Sequence, residues 1–229
     1  MITTVGLLLA LMTLHFRLQE TTPAPPADPL EQRVAVLELK DDTLGNALGR
    51  LNQSFDISIS IEGVLPEEGI IANPKFSVNI ENRTIAQVLD QLCRLDTRYV
   101  WTRDGNNVNL FPKASLNDRN YFFNRVLSEL HFRDLRELSD AIVAIDHQAD
   151  DPRGGVILMG IGQTHGFADP WTQSFNNLTV RQALNRIAQR LGPTYGWQIG
   201  GTNKARLIVF HYKLESQHVE LGGQYPSKH

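Results

Sequence analysis

The chain has 229 residues, 41% of them hydrophobic, and a formal net charge of -3, a composition suited to a folded soluble protein of one large or two small domains. Lys and Arg number 22 against 25 Asp and Glu, so no basic excess is available to hold a phosphate backbone, and nucleic acid is not an expected partner. A single cysteine, Cys93, excludes an intramolecular disulfide and a cysteine-built zinc site; in its apolar helical stretch it reads as a small buried thiol.

Val5 to Phe16 is an almost unbroken apolar run. It is too short to span a hydrocarbon core, which needs about 20 residues, and it fits the apolar region of a secretory signal over residues 1–19. No Lys or Arg precedes the run and no Ala-x-Ala follows it; a misplaced start would explain the missing basic region. Residues 20–32 form a Pro/Ala-rich linker, with four prolines between Thr21 and Pro29, a composition that stays extended and semi-rigid. The expectation is an exported, periplasmic protein whose N-terminal segment is cleaved or contacts the membrane.

From residue 33 a pattern begins. Val34 to Leu39 is strand-like, Asp41-Asp42-Thr43 supplies capping oxygens, and Leu44, Ala47, Leu48 and Leu51 share one helical face. Ile57, Ile59 and Ile61 then alternate with Ser58 and Ser60, as in a half-buried strand. The sentence is written again at once: Phe76, Val78 and Ile80 alternate, Asn82 to Thr84 caps, and Ile85, Val88, Leu89 and Leu92 form the face. Tyr99-Val-Trp101, a turn at Asp104-Gly105-Asn106, and Val108 to Phe111 close as a hairpin.

Two further copies follow. Leu127 to Phe132 is strand-like, Asp134 is read as a cap, Leu135, Leu138, Ile142 and Ile145 mark a helix, and Gly155 to Met159 a strand. Phe175 to Leu178 leads to Thr179, and Val180, Ala183, Leu184, Ile187 and Leu191 give the last helical face. Tyr195 and Trp197 lie on a strand, a Gly200-Gly201 turn follows, and Arg206 to His211 is the final strand. The second and fourth copies agree in detail. Asn82-Arg-Thr84-Ile-Ala-Gln87-Val-Leu89 matches Asn177-Leu-Thr179-Val-Arg-Gln182-Ala-Leu184, and Tyr99-x-Trp101 matches Tyr195-x-Trp197. Shared caps and aromatics at near-equal offsets indicate duplication.

Residues 75 to 112, from Lys-Phe-Ser-Val-Asn-Ile through Tyr-Val-Trp-Thr-Arg-Asp-Gly to Asn-Leu-Phe, resemble the short N-terminal domain shared by secretins and TonB-dependent transducers. Residues 35 to 62 look like the first β-α-β half of that domain, and residues 121 to 212 resemble it more weakly. The resemblance implies a periplasmic docking domain whose partner is an anti-sigma component, a TonB-system component, a secretin, or an inner-membrane part of a secretion or pilus machine. The sequence departs from both parents in showing neither an outer-membrane barrel nor a secretin multimerisation region.

The expected fold is therefore α+β: two tandem small domains, each of two β-α-β halves with two helices packed on short mixed sheets. The first spans residues 33–113, a linker 114–120, the second, divergent repeat 121–213, and a polar tail 214–229.

Chemistry needs acids, bases or nucleophiles brought together, and their spacing here is poor. His131, His147, His165, His211, His218 and His229 show no paired metal-ligand spacing. His147 with Asp146, Asp150 and Asp151 is the densest polar cluster and reads as a solvated loop. Gly160 to Gly166 runs into Phe167-Ala-Asp-Pro170-Trp171 rather than into a helix, so it is not expected to cradle phosphate. The sequons at Asn52, Asn82 and Asn177 fall at or inside helical starts, where capping or surface chemistry accounts for them better than glycans. The two Tyr-x-Trp pairs are expected to pack on helices. Phe167 and Trp171, placed in a long loop, are the candidate partner-binding residues. No catalytic residue, metal or cofactor is expected. The reading is a non-enzymatic adaptor binding envelope proteins through sheet edges and loops; the alternatives are an assembly subunit of a secretin-type system, or a ligand binder or enzyme using the loop from residue 146 to 171.

Overall fold

A computed structural model describes residues 28–64, 73–149, 156–159, 166–201 and 205–212. The fold is α+β. The first repeat runs β1 (Arg33–Thr43), α1 (Leu44–Ser54), β2 (Ser58–Glu62), β3 (Lys75–Thr84), α2 (Ile85–Leu95), β4 (Tyr99–Asp104) and β5 (Asn107–Pro112). The second has the same order: β6 (Val126–Glu137), α3 (Leu138–Ala149), β7 (Val156–Met159), β8 (Gly166–Thr179), α4 (Val180–Leu191), β9 (Tyr195–Gly201) and β10 (Ala205–Tyr212). Among the described residues no helix is long and apolar enough to cross a membrane.

Threonines start three of the helices. Thr43 accepts from the Asn46 amide at 3.3 Å, Thr84 from Gln87 and Thr179 from Gln182, both at 3.2 Å. Gln87 and Gln182 each reach back to the amide of their capping Thr, which completes two capping boxes. The acidic and amide residues ahead of these caps do something else. Asp41, Asn82, Asp134 and Asn177 have φ of 51°, 49°, 51° and 56°, a left-handed backbone that Asp and Asn tolerate better than most side chains.

Asp134 is therefore not a helix cap, and Leu135 lies in a strand rather than on a helical face. Pairing of β6 with β8 continues through Leu135 opposite Trp171 to Glu137 opposite Gly166, and the Asp134 amide donates to Thr172 Oγ1 at 2.9 Å. The long partner strand draws these residues into its ladder, and helix α3 starts only at Leu138.

Each repeat sets aside an antiparallel two-stranded ribbon, β1–β3 in the first and β6–β8 in the second. The remaining strands form one six-stranded sheet of order β4-β5-β2-β9-β10-β7. The repeats thus keep separate apolar cores but share a sheet. Ile59, Ile61, Val108 and Leu110 pack with α1 and α2 on one face. Since Ile61 sits opposite Gln198 and Glu62 opposite Ile199, alternation puts Trp197, Ile199, Ile208 and Phe210 on the other face, where they pack with α3 and α4.

All five residues of β2 are buried, so the expected half-buried strand is covered on both sides. Ser58, Ser60 and Glu62 face the second repeat. The Tyr-x-Trp pairs pack as expected: Tyr99 and Trp197 are buried, and Trp101 and Tyr195 are half-buried against the cores.

Candidate docking surfaces

The residues singled out for chemistry do not converge. His147 is exposed on α3, while Asp150, Asp151 and His165 lie outside the described residues, as do residues 160–165 of the glycine-rich stretch. Among the described residues no three His, Cys, Asp or Glu side chains are grouped to hold a metal. Cys93 is half-buried, and burial, reinforced by Asp90 and Asp96, pushes its thiol up to about 11, far from thiolate reactivity. Asn52 is buried and donates to the Ile57 carbonyl at 2.6 Å, which closes it to glycan attachment.

Phe167 and Trp171 are on strand β8, not in a loop. Trp171 is buried, its ring centroid 4.5 Å from that of Phe132, 5.3 Å from Phe167 and 6.0 Å from Phe175. Its indole N–H is used by Gln173 Oε1 at 3.0 Å. Trp171 belongs to the second core, and Phe167 packs half-buried against it.

What the structure builds instead is a strand-to-strand join. Strand β9 of the second repeat lies parallel to β2 of the first. Ser58 Oγ donates to the Tyr195 carbonyl, and the Trp197 amide donates to Ser60 Oγ at 3.4 Å. The two backbones meet at Gly196, where an added Cβ would lie 1.9 Å from the Ile59 carbonyl oxygen; no side chain fits there.

Helix α4 then leans over the first repeat. Arg181 pairs with Glu62 through Nε and through Nη2 at 3.0 Å, donates from Nη1 to Asn124 Oδ1 at 2.8 Å, and lies 4.0 Å from the centre of the Phe111 ring. Glu62 is fully buried. Burial raises its carboxyl pKa, and the Arg181 charge pulls it back down. Asn185, also buried, accepts from Trp197 Nε1 and donates to Asp104 Oδ2, both at 2.9 Å. The first repeat holds the counterpart of one of these bonds in the open: Trp101 Nε1 donates to Asp90 Oδ1 at 2.9 Å, and Asp90 is exposed.

Two kinds of strand edge stay unpaired among the described residues. At the two ends of the central sheet, β4 has β5 and β7 has β10 as a partner on one side. The Lys113 amide donates to the Arg98 carbonyl at 2.7 Å, so antiparallel alternation turns the backbone groups of Tyr99, Trp101 and Arg103 away from β5. The second kind is the outer edge of every ribbon strand, since β1, β3, β6 and β8 each pair with one neighbour. An open groove of about 740 Å³ also runs between the repeats, with Asp56, Arg103, Tyr195 and Tyr212 in its wall.

Sequence reasoning missed Glu62, Arg181, Gly196 and His211. The available signals were an acidic residue on the polar face of an Ile-Ser strand, and a glycine between Tyr195 and Trp197 where the first repeat has Val100. No family model, curated protein or solved structure matches the chain.

Proposed function

We propose that this protein is a non-enzymatic docking adaptor of the bacterial cell envelope, exported to the periplasm, which binds envelope proteins by adding their extended segments to its own strands. The observation that carries this reading is the pair of ribbons. Strands of 11 and 10 residues in the first, and of 12 and 14 in the second, each leave one edge without a partner among the described residues. Such edges offer a row of backbone donors and acceptors to an extended peptide. Val36 on β1 and Val126 on β6 are 61% and 62% exposed, apolar positions that a docked segment would cover. The apolar start, the Pro/Ala-rich spacer and the resemblance to secretin and transducer N-terminal domains support the envelope setting. That resemblance also supports the partner class: a secretin, a TonB-system component or an anti-sigma component.

The test is in-cell photo-crosslinking from Val36 and Val126 in the tagged full chain. Capture of an envelope protein of that class is the expected result, with capture lost when proline interrupts the outer edge of the same ribbon. Recovery of the protein from the cytosol, with nothing from the envelope attached, would overturn the reading.

A further inference from the structure

The join between the repeats is open-ended. With β2 taken as pointing up, β5 and β9 also point up, and β4, β10 and β7 point down. Repeat one in sheet order is β4, β5, β2, and repeat two is β9, β10, β7. The order is kept and every strand is reversed. A half-turn about an axis lying across the strands, combined with a shift along it, produces this arrangement. It also carries the helices from one face to the other, as the two cores show. A relation that includes a shift does not close on itself. It leaves β4, the counterpart of β9, at one end and β7, the counterpart of β2, at the other. Those two ends point the same way, so they would meet in parallel as β2 and β9 do.

A second observation comes from the sheet face beside β9 and β10. Within the chain, α4 covers the face of repeat one that its own helices leave bare, resting Arg181 on Phe111 and Asn185 on Asn107 and Asp104. The matching face of repeat two holds Gln198, Leu207, Val209 and His211. His211, opposite Gly196, stands where Phe111 stands opposite Val100. Gln198 Oε1 is buried there without a hydrogen-bond partner, and the buried ring of His211 has no polar neighbour beyond the Trp197 backbone, a state that native interiors rarely leave unexplained. The helix that would cover this face under the same relation is α2 of another copy. It presents Asp90 and Gln91, the counterparts of Asn185 and Arg186, as exposed and half-exposed polar groups.

We propose that a second copy of this chain docks head to tail on the first, β7 of one against β4 of the next, with α2 of the second copy lying over Gln198 and His211 of the first. Val100 occupies the place of Gly196, so this contact stands off further than the internal join and is the weaker of the two; assembly is reversible and rises with concentration. The ribbons take no part in it, so it stands apart from the binding of envelope proteins.

Sedimentation velocity of the purified full chain across a wide concentration range tests it. The weight-average mass should climb from monomer through dimer and beyond. Val100→Lys puts a charge on the β4 edge and Val209→Lys puts one under the docked helix; each alone should sediment as a monomer at every concentration. Mixed together they retain one intact end apiece and should form a one-to-one dimer that grows no further. Circular dichroism confirms that each variant is folded; should Val209→Lys fail there, Gln198→Arg takes its place. A wild-type chain that stays monomeric, assembly indifferent to Val100→Lys, or a mixture that fails to pair would each overturn the proposal. Because no envelope component is present, none of these results bears on the ribbon edges.

Discussion

Glu62, the last residue of β2, and Arg181, in the first turn of α4, form a buried ion pair across 119 positions of sequence. Taking a carboxylate out of water is tolerable here because three guanidinium nitrogens are engaged around it and its neighbours. Arg181→Met removes the compensating charge and should cost about 3–5 kcal/mol in urea unfolding. The loss should grow with pH. Without Arg181 the Glu62 carboxyl is raised further above its unfolded value, so its protonated form is stable in the fold at low pH and that stability is lost as pH rises. Pairing Arg181→Met with Glu62→Leu should recover most of the loss; a double variant as unstable as the single one would contradict this account.

Gly196 and Gly200 lie on the same strand and give a controlled comparison. A Cβ at Gly196 meets the Ile59 carbonyl oxygen at 1.9 Å, whereas a Cβ at Gly200 has nothing within 4 Å. Gly196→Ala should therefore force β2 and β9 apart, with a loss above about 3 kcal/mol, in the range kept for severe steric conflict. Gly200→Ala should stay within about 0.5 kcal/mol of wild type. Equal urea midpoints for the two variants would show that the strands separate freely at this point.

The capping threonines make a third test. Thr84→Ala and Thr179→Ala each remove a capping box and should cost about 1 kcal/mol apiece. The boxes belong to different repeats and share no partner, so the double variant should show the sum. If the double loss instead exceeds the sum by a wide margin, the caps communicate through the shared sheet.

The capping residues also mark what the sequence made legible. Thr43, Thr84 and Thr179 announced helix starts because a cap is a local device, read from the oxygen and the apolar spacing behind it. Tyr99, Trp101, Tyr195 and Trp197 marked β4 and β9, strands at the same place in the element order, for the same reason. The strand reach of β8 was hidden, since Gly166 to Trp171 has Pro170 within it and little alternation; its partner β6, about thirty residues upstream, makes it a strand. The join of β2 to β9 was hidden more deeply. Periodicity told that Ser58 and Ser60 share a face, but what covers that face depends on Tyr195 and Trp197, 137 positions away. The four left-handed Asp and Asn residues fall between these cases. Their residue type was visible beside the caps, but their backbone role needed the ladder around them.

His211 supplies the last prediction. Burial lowers its pKa to about 4 from an ordinary 6.5, so the folded chain keeps the imidazole neutral where the unfolded chain would protonate it. A base held neutral in the fold contributes its full stability above the unfolded value and loses it as pH falls from about 6.5 toward 4. The difference is about 2.5 pH units at roughly 1.4 kcal/mol each, or about 3–4 kcal/mol in all. His211→Phe installs the residue found at the matching place in the first repeat, Phe111, and removes this titration while keeping a ring over Gly196. Urea midpoints measured at about pH 7.5 and about pH 5 should fall steeply for the wild type and clearly less for the variant, the carboxylates being common to both. Should the two proteins lose stability in parallel over that range, His211 takes up its proton equally in the folded and unfolded chains, and burial does not hold its ring neutral.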